Sequence, residues 1–254
     1  MRWKTAHASV TGTAHSSRGE AGQDSCRAVT VQFADTDYFI GVVADGAGST
    51  TDGGKGAEIA CQLIADRITG SLRAALDLSK IADDDVKAWV TAARDAVAHE
   101  AATQSKKLRE FASTVIGVVV GGGRAIYFQL GDGAIVTGPG PAYRTIFWPE
   151  QGEYANTTFF LTDETYLQNL KILHDDEPDC IALFTDGLQS LALSFAQKEA
   201  HAGFFAPLFL AAQKQPADGI GTLAHALAAF LRRDDISARS DDDKTLVLAV
   251  RTGR

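Results

Sequence analysis

Cysteine, methionine and proline are scarce in this chain, at three, one and six of 254 residues. The cysteines (Cys26, Cys61 and Cys180) are odd in number and scattered, which excludes a disulfide frame and a Cys/His zinc site. Their apolar settings read as reduced packing positions in a cytoplasmic protein. Long hydrophobic runs are missing too. No apolar stretch approaches about 18 residues and no leader pattern opens the chain, so neither a membrane span nor a secretory signal is expected. Positive charge is in short supply: 24 Lys and Arg face 32 Asp and Glu, a formal net charge of −8. That balance argues against nucleic acid, whose binding rests on phosphate neutralisation by cations. There is no G-x-S-x-G elbow, and Ser49 to Gly56 lacks the first glycine and final hydroxyl of a phosphate loop. The six histidines (His7, His15, His99, His174, His201, His225) form no metal-ligand spacing. Of these, only His15 lies near the first loop.

What the chain does have is acid at the ends of apolar runs. Gly41-Val-Val-Ala-Asp45-Gly46, Tyr127-Phe-Gln-Leu-Gly-Asp132-Gly133 and Ile181-Ala-Leu-Phe-Thr-Asp186-Gly187 all close on Asp-Gly, and Asp241-Asp-Asp243 precedes a final apolar run. The mouth of a buried strand is where a fold collects oxygen ligands from distant positions. Four carboxylates brought together repel by roughly 1–4 kcal/mol per close pair at about 4 Å, and divalent cations relieve this. An oxygen-only set suits Mg²⁺ or Mn²⁺, and two such ions can activate a water and clamp phosphoryl oxygens.

Gly46 would let a carbonyl approach a cation without interference from a Cβ, and Asp186-Gly187 has the same form. Gly131-Asp132-Gly133 joins two β-runs and reads equally as a hairpin turn. One of Asp241 to Asp243 is expected to face inward. Gln23-Asp24-Ser25 alone reads as a surface loop, and Arg18 is the nearest candidate phosphate ligand.

Secondary-structure signals run in blocks. Strands are expected at 29–33 and 38–43, then helices from about 55 to 77 and 84 to 106. Strands follow at 114–120 and 125–128 around Gly121-Gly-Gly123, then at 134–137 and 144–148. Residues 149–178 resist assignment. Ile181 to Thr185 reads as a buried strand, 195–213 and 221–231 as helices, and 245–251 as the closing strand. This is not βαβ alternation; it suggests antiparallel sheets with paired helices packed outside. No internal repeat or linker divides the chain.

Taken in order, Gly22-Gln-Asp-Ser25, Val43-Ala-Asp-Gly-Ala-Gly48, Ser113-Thr114, Leu130-Gly-Asp-Gly133, Phe184-Thr-Asp-Gly-Leu188 and Asp242-Asp-Lys-Thr245 resemble the protein phosphatase 2C family. These are the metal-dependent PPM serine/threonine phosphatases. Ala47-Gly-Ser49 and Gly152-Glu-Tyr-Ala-Asn-Thr157 look like its compact bacterial branch.

The resemblance implies an α+β, four-layer αββα sandwich: two antiparallel β-sheets flanked by helix pairs, in one domain over 1–254 with a variable flap-like insert at about 139–178. It implies a two-ion Mn²⁺/Mg²⁺ site, with Asp45 bridging both ions, the Gly46 carbonyl on one, and Asp186 with Asp242 completing the other. Asp132, with Asp186, matches the holders of a possible third ion, and Asp24 would act through water. The implied activity is hydrolysis of phosphoserine and phosphothreonine in proteins by a metal-activated water. The implied setting is a cytoplasmic monomer in bacterial signalling, opposite a cognate Ser/Thr kinase, with no nucleic-acid or membrane partner.

Two positions depart from the family pattern. A phosphate-binding Arg often stands five residues before the first Asp; here Gly19 does, with Arg18 one step earlier. Ala47 replaces the His that eukaryotic members carry after the bridging Asp-Gly, which leaves protonation of the leaving group to water. Alternatives on the same fold are a catalytically weak pseudophosphatase acting as a regulatory module and a hydrolase of small phosphate esters. Substrate choice would lie in about 139–178, where Trp148 and Tyr154 form a rim or pack into the core.

Overall fold

The apolar runs become strands in the computed structural model, which describes residues 2–138, 143–149, 158–215 and 220–253. In chain order the first half comprises β1 (Arg2–Val10), α1 (Thr13–Ser16), β2 (Ser25–Phe33), β3 (Thr36–Ala44), α2 (Gly53–Ala75), α3 (Asp83–Thr103), β4 (Val115–Gly121) and β5 (Arg124–Leu130). There follow β6 (Ala134–Gly138), β7 (Arg144–Thr145), α4 (Tyr166–Asn169), β8 (Lys171–Asp176), β9 (Cys180–Phe184) and α5 (Gln189–Ala192). The chain closes with β10 (Leu193–Ser194), β11 (Glu199–Ala200), α6 (Ala202–Lys214), α7 (Ile220–Leu231), α8 (Asp234–Ser237) and β12 (Lys244–Thr252).

These elements form two compact units. The first, the Asp45 unit, comprises Gln23–Asp132 and Pro149–Glu177. Its sheet runs β2-β3-β4-β5-β8, every pair antiparallel. Two hairpins set the register. Phe33 pairs with Thr36 across Ala34 and Asp35, which adopt φ of 47° and 64°. Gly121 pairs with Arg124 across Gly122 and Gly123, at φ of 65° and 84°. Left-handed backbone at both turn residues matches strand twist, which is why the three-glycine signal marks its hairpin correctly. Helix α2 buries Ala57, Ala60, Cys61, Ile64, Ala65, Ile68 and Leu72 at helical spacing, and α3 buries Val86, Trp89, Val90, Ala93 and Val97. Both pack with Tyr38, Ile40, Val42, Val119 and Phe128 in one core. At the start of α3, the Asp85 carboxylate accepts the Ala82 N–H at 2.9 Å, a cap that the acidic run announced.

The second, the Asp186 unit, comprises Met1–Gly22, Gly133–Trp148 and Pro178–Arg254. Its sheet runs β1-β12-β9-β6-β7, again antiparallel throughout. Every second residue of β12 and β9 (Leu246, Leu248, Val250; Cys180, Ala182, Phe184) joins Phe205, Phe209, Leu223, Leu227 and Leu231 of α6 and α7 in a core. The alternate residues Ile181, Leu183, Val247 and Ala249 are equally buried. That explains why these strands read as continuous apolar runs rather than as alternation.

The α+β class and the antiparallel sheets with helix pairs are thus as expected, and four local expectations change. Residues 195–213 are not one helix: β10 and β11 pair as a small ribbon, with Lys198 at φ 53°, and α6 starts at Ala202. Phe195 is held by Trp148, ring centroids 5.7 Å apart, and tertiary packing overrides the helical spacing there. Of 144–148 only Arg144 and Thr145 pair as strand. The unassigned region contains β8, an edge strand on β5. Strand β1 had no assignment of its own, because its inward positions Ala6 and Ala8 are weak β formers. Trp148 packs into the core of its unit, whereas Tyr154 lies outside the described residues. Among the described residues no helix is long and apolar enough to cross a membrane.

Candidate active site

In the Asp45 unit the sheet register brings the acids to one end. Ser25 pairs with Ala44, so Asp24 and Asp45 are the next residues out on β2 and β3. Val115 pairs with Leu130, so Thr114 and Gly131 follow on β4 and β5, with Asp132 one step further. Asp24, Asp45 and Asp132 are all half-buried there. One carboxylate oxygen of Asp45 and one of Asp132 lie within 4.8 Å of each other. Two negative charges at that range repel by about 1–4 kcal/mol for effective dielectrics of roughly 80 to 20.

The backbone around Asp45 is tied down. The Asp45 N–H donates to Thr114 Oγ1 at 3.0 Å, and the Thr114 N–H returns a bond to the Asp45 carbonyl at 2.8 Å. The Gly46 N–H donates to the Gln23 carbonyl at 3.2 Å, and Gly46 bridges Ser113 as an isolated antiparallel pair. Glycine is required at 46: a Cβ would stand 2.3 Å from the Gly53 carbonyl carbon, where the chain returns into α2. In the orientation that satisfies both its groups, the Gln23 amide nitrogen donates to the Gly46 and Ala47 carbonyls, each at 3.1 Å. A carbonyl has two lone pairs, so Gly46 keeps one for another partner.

Asp132 is held differently. Its Oδ2 accepts the Thr158 hydroxyl at 2.7 Å. Gly131 and Gly133 both take φ of 93°, and a Cβ at Gly131 would stand 2.6 Å from Thr114 Cγ2. The hairpin alternative for this turn fails, because β5 and β6 belong to different sheets.

In the Asp186 unit, the turn that begins at Asp186 packs against the start of β12. Thr185 N–H donates to the Thr245 carbonyl at 3.2 Å and Thr185 Oγ1 accepts the Thr245 N–H at 3.1 Å, extending the β9–β12 ladder one residue. Asp186 then opens a 3-10 turn through Leu188. A Cβ on Gly187 would meet the Asp243 carbonyl oxygen at 2.0 Å and Asp242 Cβ at 3.4 Å, so glycine permits the close approach. Asp186 and Asp242 are half-buried. The Asp242 Oδ1 accepts the Asp243 N–H at 2.8 Å, and Lys244 Nζ donates to the Asp242 carbonyl at 2.7 Å.

The inward member of the Asp241–Asp243 triplet is Asp243, 2% exposed. Its Oδ1 accepts the Gly12 N–H at 2.7 Å and lies 3.1 Å from His15 Nδ1. Sequence reasoning missed this buried pair and the buried Lys244. The available signals were a three-acid run longer than one ligand needs and a lysine inside an apolar strand. Arg18 is on the surface, its Nε donating to Glu20 Oε2 at 2.7 Å.

The two carboxylates that meet at the Asp45–Asp132 end are oxygen donors and fit a hard divalent cation. The thiols are not among these donors. Burial pushes Cys26 and Cys180 up to about 12 and raises Cys61 well above the ordinary thiol range. All three are free cysteines, in keeping with the packing role expected of them.

Solved structures share this fold. A bacterial serine phosphatase aligns over 99% of this chain and 98% of its own at 15% identity and a TM-score of 0.62. Stp1 from Staphylococcus aureus, a serine/threonine phosphatase, aligns over 98% and 95% at 16% identity and a TM-score of 0.61. The catalytic domain of the serine/threonine phosphatase PstP, solved with two manganese ions, aligns over 98% and 97% at 17% identity and a TM-score of 0.61. In sequence, serine/threonine-protein phosphatase 3 of Escherichia coli (strain K12) is 32% identical over 258 residues, covering 98% of this chain and 99% of that protein. The family model described as protein phosphatase 2C matches residues 11–232, and the chain belongs to that family.

Proposed function

We propose that the protein removes phosphate from phosphoserine and phosphothreonine in protein substrates, at a centre of two divalent cations. The observation that carries this is the Asp45–Asp132 carboxylate pair at one sheet end of a protein phosphatase 2C chain, supported by the named activity of the Escherichia coli relative. Asp45 and the Gly46 carbonyl hold one side of the centre. Asp186 and Asp242 complete it, and Asp132 with Asp186 holds a third, weaker ion. Mn²⁺ or Mg²⁺ bound there supplies positive charge that lowers the pKa of water and neutralises phosphoryl oxygens.

The chain's own residues do the rest. Asp24, one step beyond the Ser25–Ala44 pair, accepts a proton from water at the centre and orients it. Arg18 exchanges Glu20 for substrate phosphate. Ala47 offers no proton to the departing seryl oxygen, so water donates it.

Residues 1–254 act as one catalytic domain, and substrate choice lies in the segment at about 139–178, outside strands β7 and β8. A cytoplasmic monomer opposing a Ser/Thr kinase is the setting we favour, and the three free thiols suit a reducing compartment. The test is phosphate release from phosphoserine and phosphothreonine peptides and from free nucleotides, with Mn²⁺, with Mg²⁺ and with chelator. Metal-dependent turnover of the peptides is expected, and preference for nucleotides would contradict the proposed substrate class.

A further inference from the structure

A cleft of about 470 Å³ opens in the Asp45 unit beside the loop that follows Gly46. Ala47, Thr50, Arg109, Ala112, Phe160 and Thr162 are among its lining residues. Two main-chain bonds join the 47–52 loop to the 110–112 segment along the cleft: Ala47 N–H to the Ala112 carbonyl at 2.9 Å, and Asp52 N–H to the Glu110 carbonyl at 3.1 Å. Ala47 therefore marks the end next to Gly46, and Arg109 the far end. Leu108–Phe111 is a 3-10 turn, and Ser113 is the residue bridged to Gly46. At about 2 Å per residue, Arg109 stands roughly 6–8 Å from that bridge. An extended peptide covers the same span in about two to three residues.

Three charged residues line the cleft, the cation Arg109 and the acids Glu110 and Asp163. Lys106 is neutralised by Asp52 at 2.7 Å. Asp163 Oδ2 accepts the Phe160 N–H at 2.8 Å, and Glu110 Oε1 is turned toward the Lys107 N–H at 3.5 Å. Arg109 is exposed and has no ion-pair partner among the described residues. A guanidinium at the rim of a half-polar cleft is a carboxylate site with geometry for two parallel hydrogen bonds.

We propose that this cleft seats the substrate polypeptide beside the phosphoresidue, and that Arg109 selects substrates carrying Asp or Glu two or three residues away from it. The inference rests on the phosphatase reading, with Asp45 at the reaction centre. Arg109 touches the substrate flank and not the phosphoryl group, so it acts on KM for peptides and leaves small esters untouched.

The experiment compares wild type, Arg109→Gln and Arg109→Lys on p-nitrophenyl phosphate and on phosphoserine peptides. The peptides carry Glu two or three positions before the phosphoserine, after it, or Ala throughout. Wild type is expected to favour one acidic series about five-fold in kcat/KM, through KM, with the preference falling as salt rises. Arg109→Gln abolishes the preference while turnover of p-nitrophenyl phosphate stays unchanged, and Arg109→Lys keeps part of it. An active wild type with no acidic preference, or a preference that survives Arg109→Gln, overturns the inference alone. A wild type inactive on every phosphoester with metal supplied overturns the phosphatase reading and the inference with it.

Discussion

Asp45 and Thr114 grip each other by two hydrogen bonds, side chain to main chain at 3.0 Å and main chain to main chain at 2.8 Å. The first is lost in Thr114→Val, which keeps the shape and takes the partner from the half-buried Asp45 N–H. A loss of about 1–2 kcal/mol in denaturant unfolding is expected. kcat should fall further than stability explains, because the same bond fixes where the Asp45 carboxylate stands. Thr114→Ser should restore most of both. Full activity in Thr114→Val would show that this clamp does not position the acid.

The pair of His15 and Asp243 makes a separate prediction for stability. Asp243 is 2% exposed, with the Gly12 N–H and His15 as its partners at 2.7 and 3.1 Å. Replacing His15 removes a polar neighbour of a buried carboxylate that keeps the Gly12 N–H, at a typical cost of about 1–3 kcal/mol. His15→Phe should lower unfolding free energy by that order in urea titration, and an unchanged midpoint would contradict it.

Two glycine substitutions provide a matched contrast. A Cβ at Gly187 would meet the Asp243 carbonyl oxygen at 2.0 Å, whereas at Gly48 it would meet nothing within 4 Å. Gly187→Ala should push Asp186 and Asp242 apart and reduce turnover more than about 100-fold, or prevent folding. Gly48→Ala should change stability by less than about 0.5 kcal/mol. Equal behaviour of the two variants would refute the close packing of Gly187 on Asp243.

Thiol chemistry should be silent in the native protein. With Cys26 and Cys180 raised to about 12 by burial, their thiolate fraction at pH 8 is about one in ten thousand. Thiolate rises with pH, so reaction with a disulfide reagent should be slow at pH 8, faster toward pH 11, and complete in denaturant for all three cysteines. Rapid native labelling at pH 8 would contradict the burial.

Much of this was legible because strand ends are encoded locally. Asp45, Asp132 and Asp186 each come just after a strand whose last five residues are buried, and the glycine after each acid announces a turn or a close approach. The helices α2 and α3 were legible within three residues at each end from their apolar spacing. The rest depends on partners far along the chain. β8 is half-exposed and exists because β5 offers an edge, and Phe195 leaves its helical pattern because Trp148 waits for it. Which of three consecutive aspartates is buried was decided by Gly12 and His15, more than 220 residues away, and no local pattern contains that.

The most direct measurement is phosphate release from a phosphoserine peptide by wild type and Asp45→Asn, after exhaustive chelation and again after Mn²⁺ is restored. Wild type should be inactive when stripped and recover with Mn²⁺, while Asp45→Asn, folded by circular dichroism, should stay at least about 100-fold slower. Undiminished turnover in the chelated wild type, or full activity in Asp45→Asn, would contradict a metal centre built on Asp45.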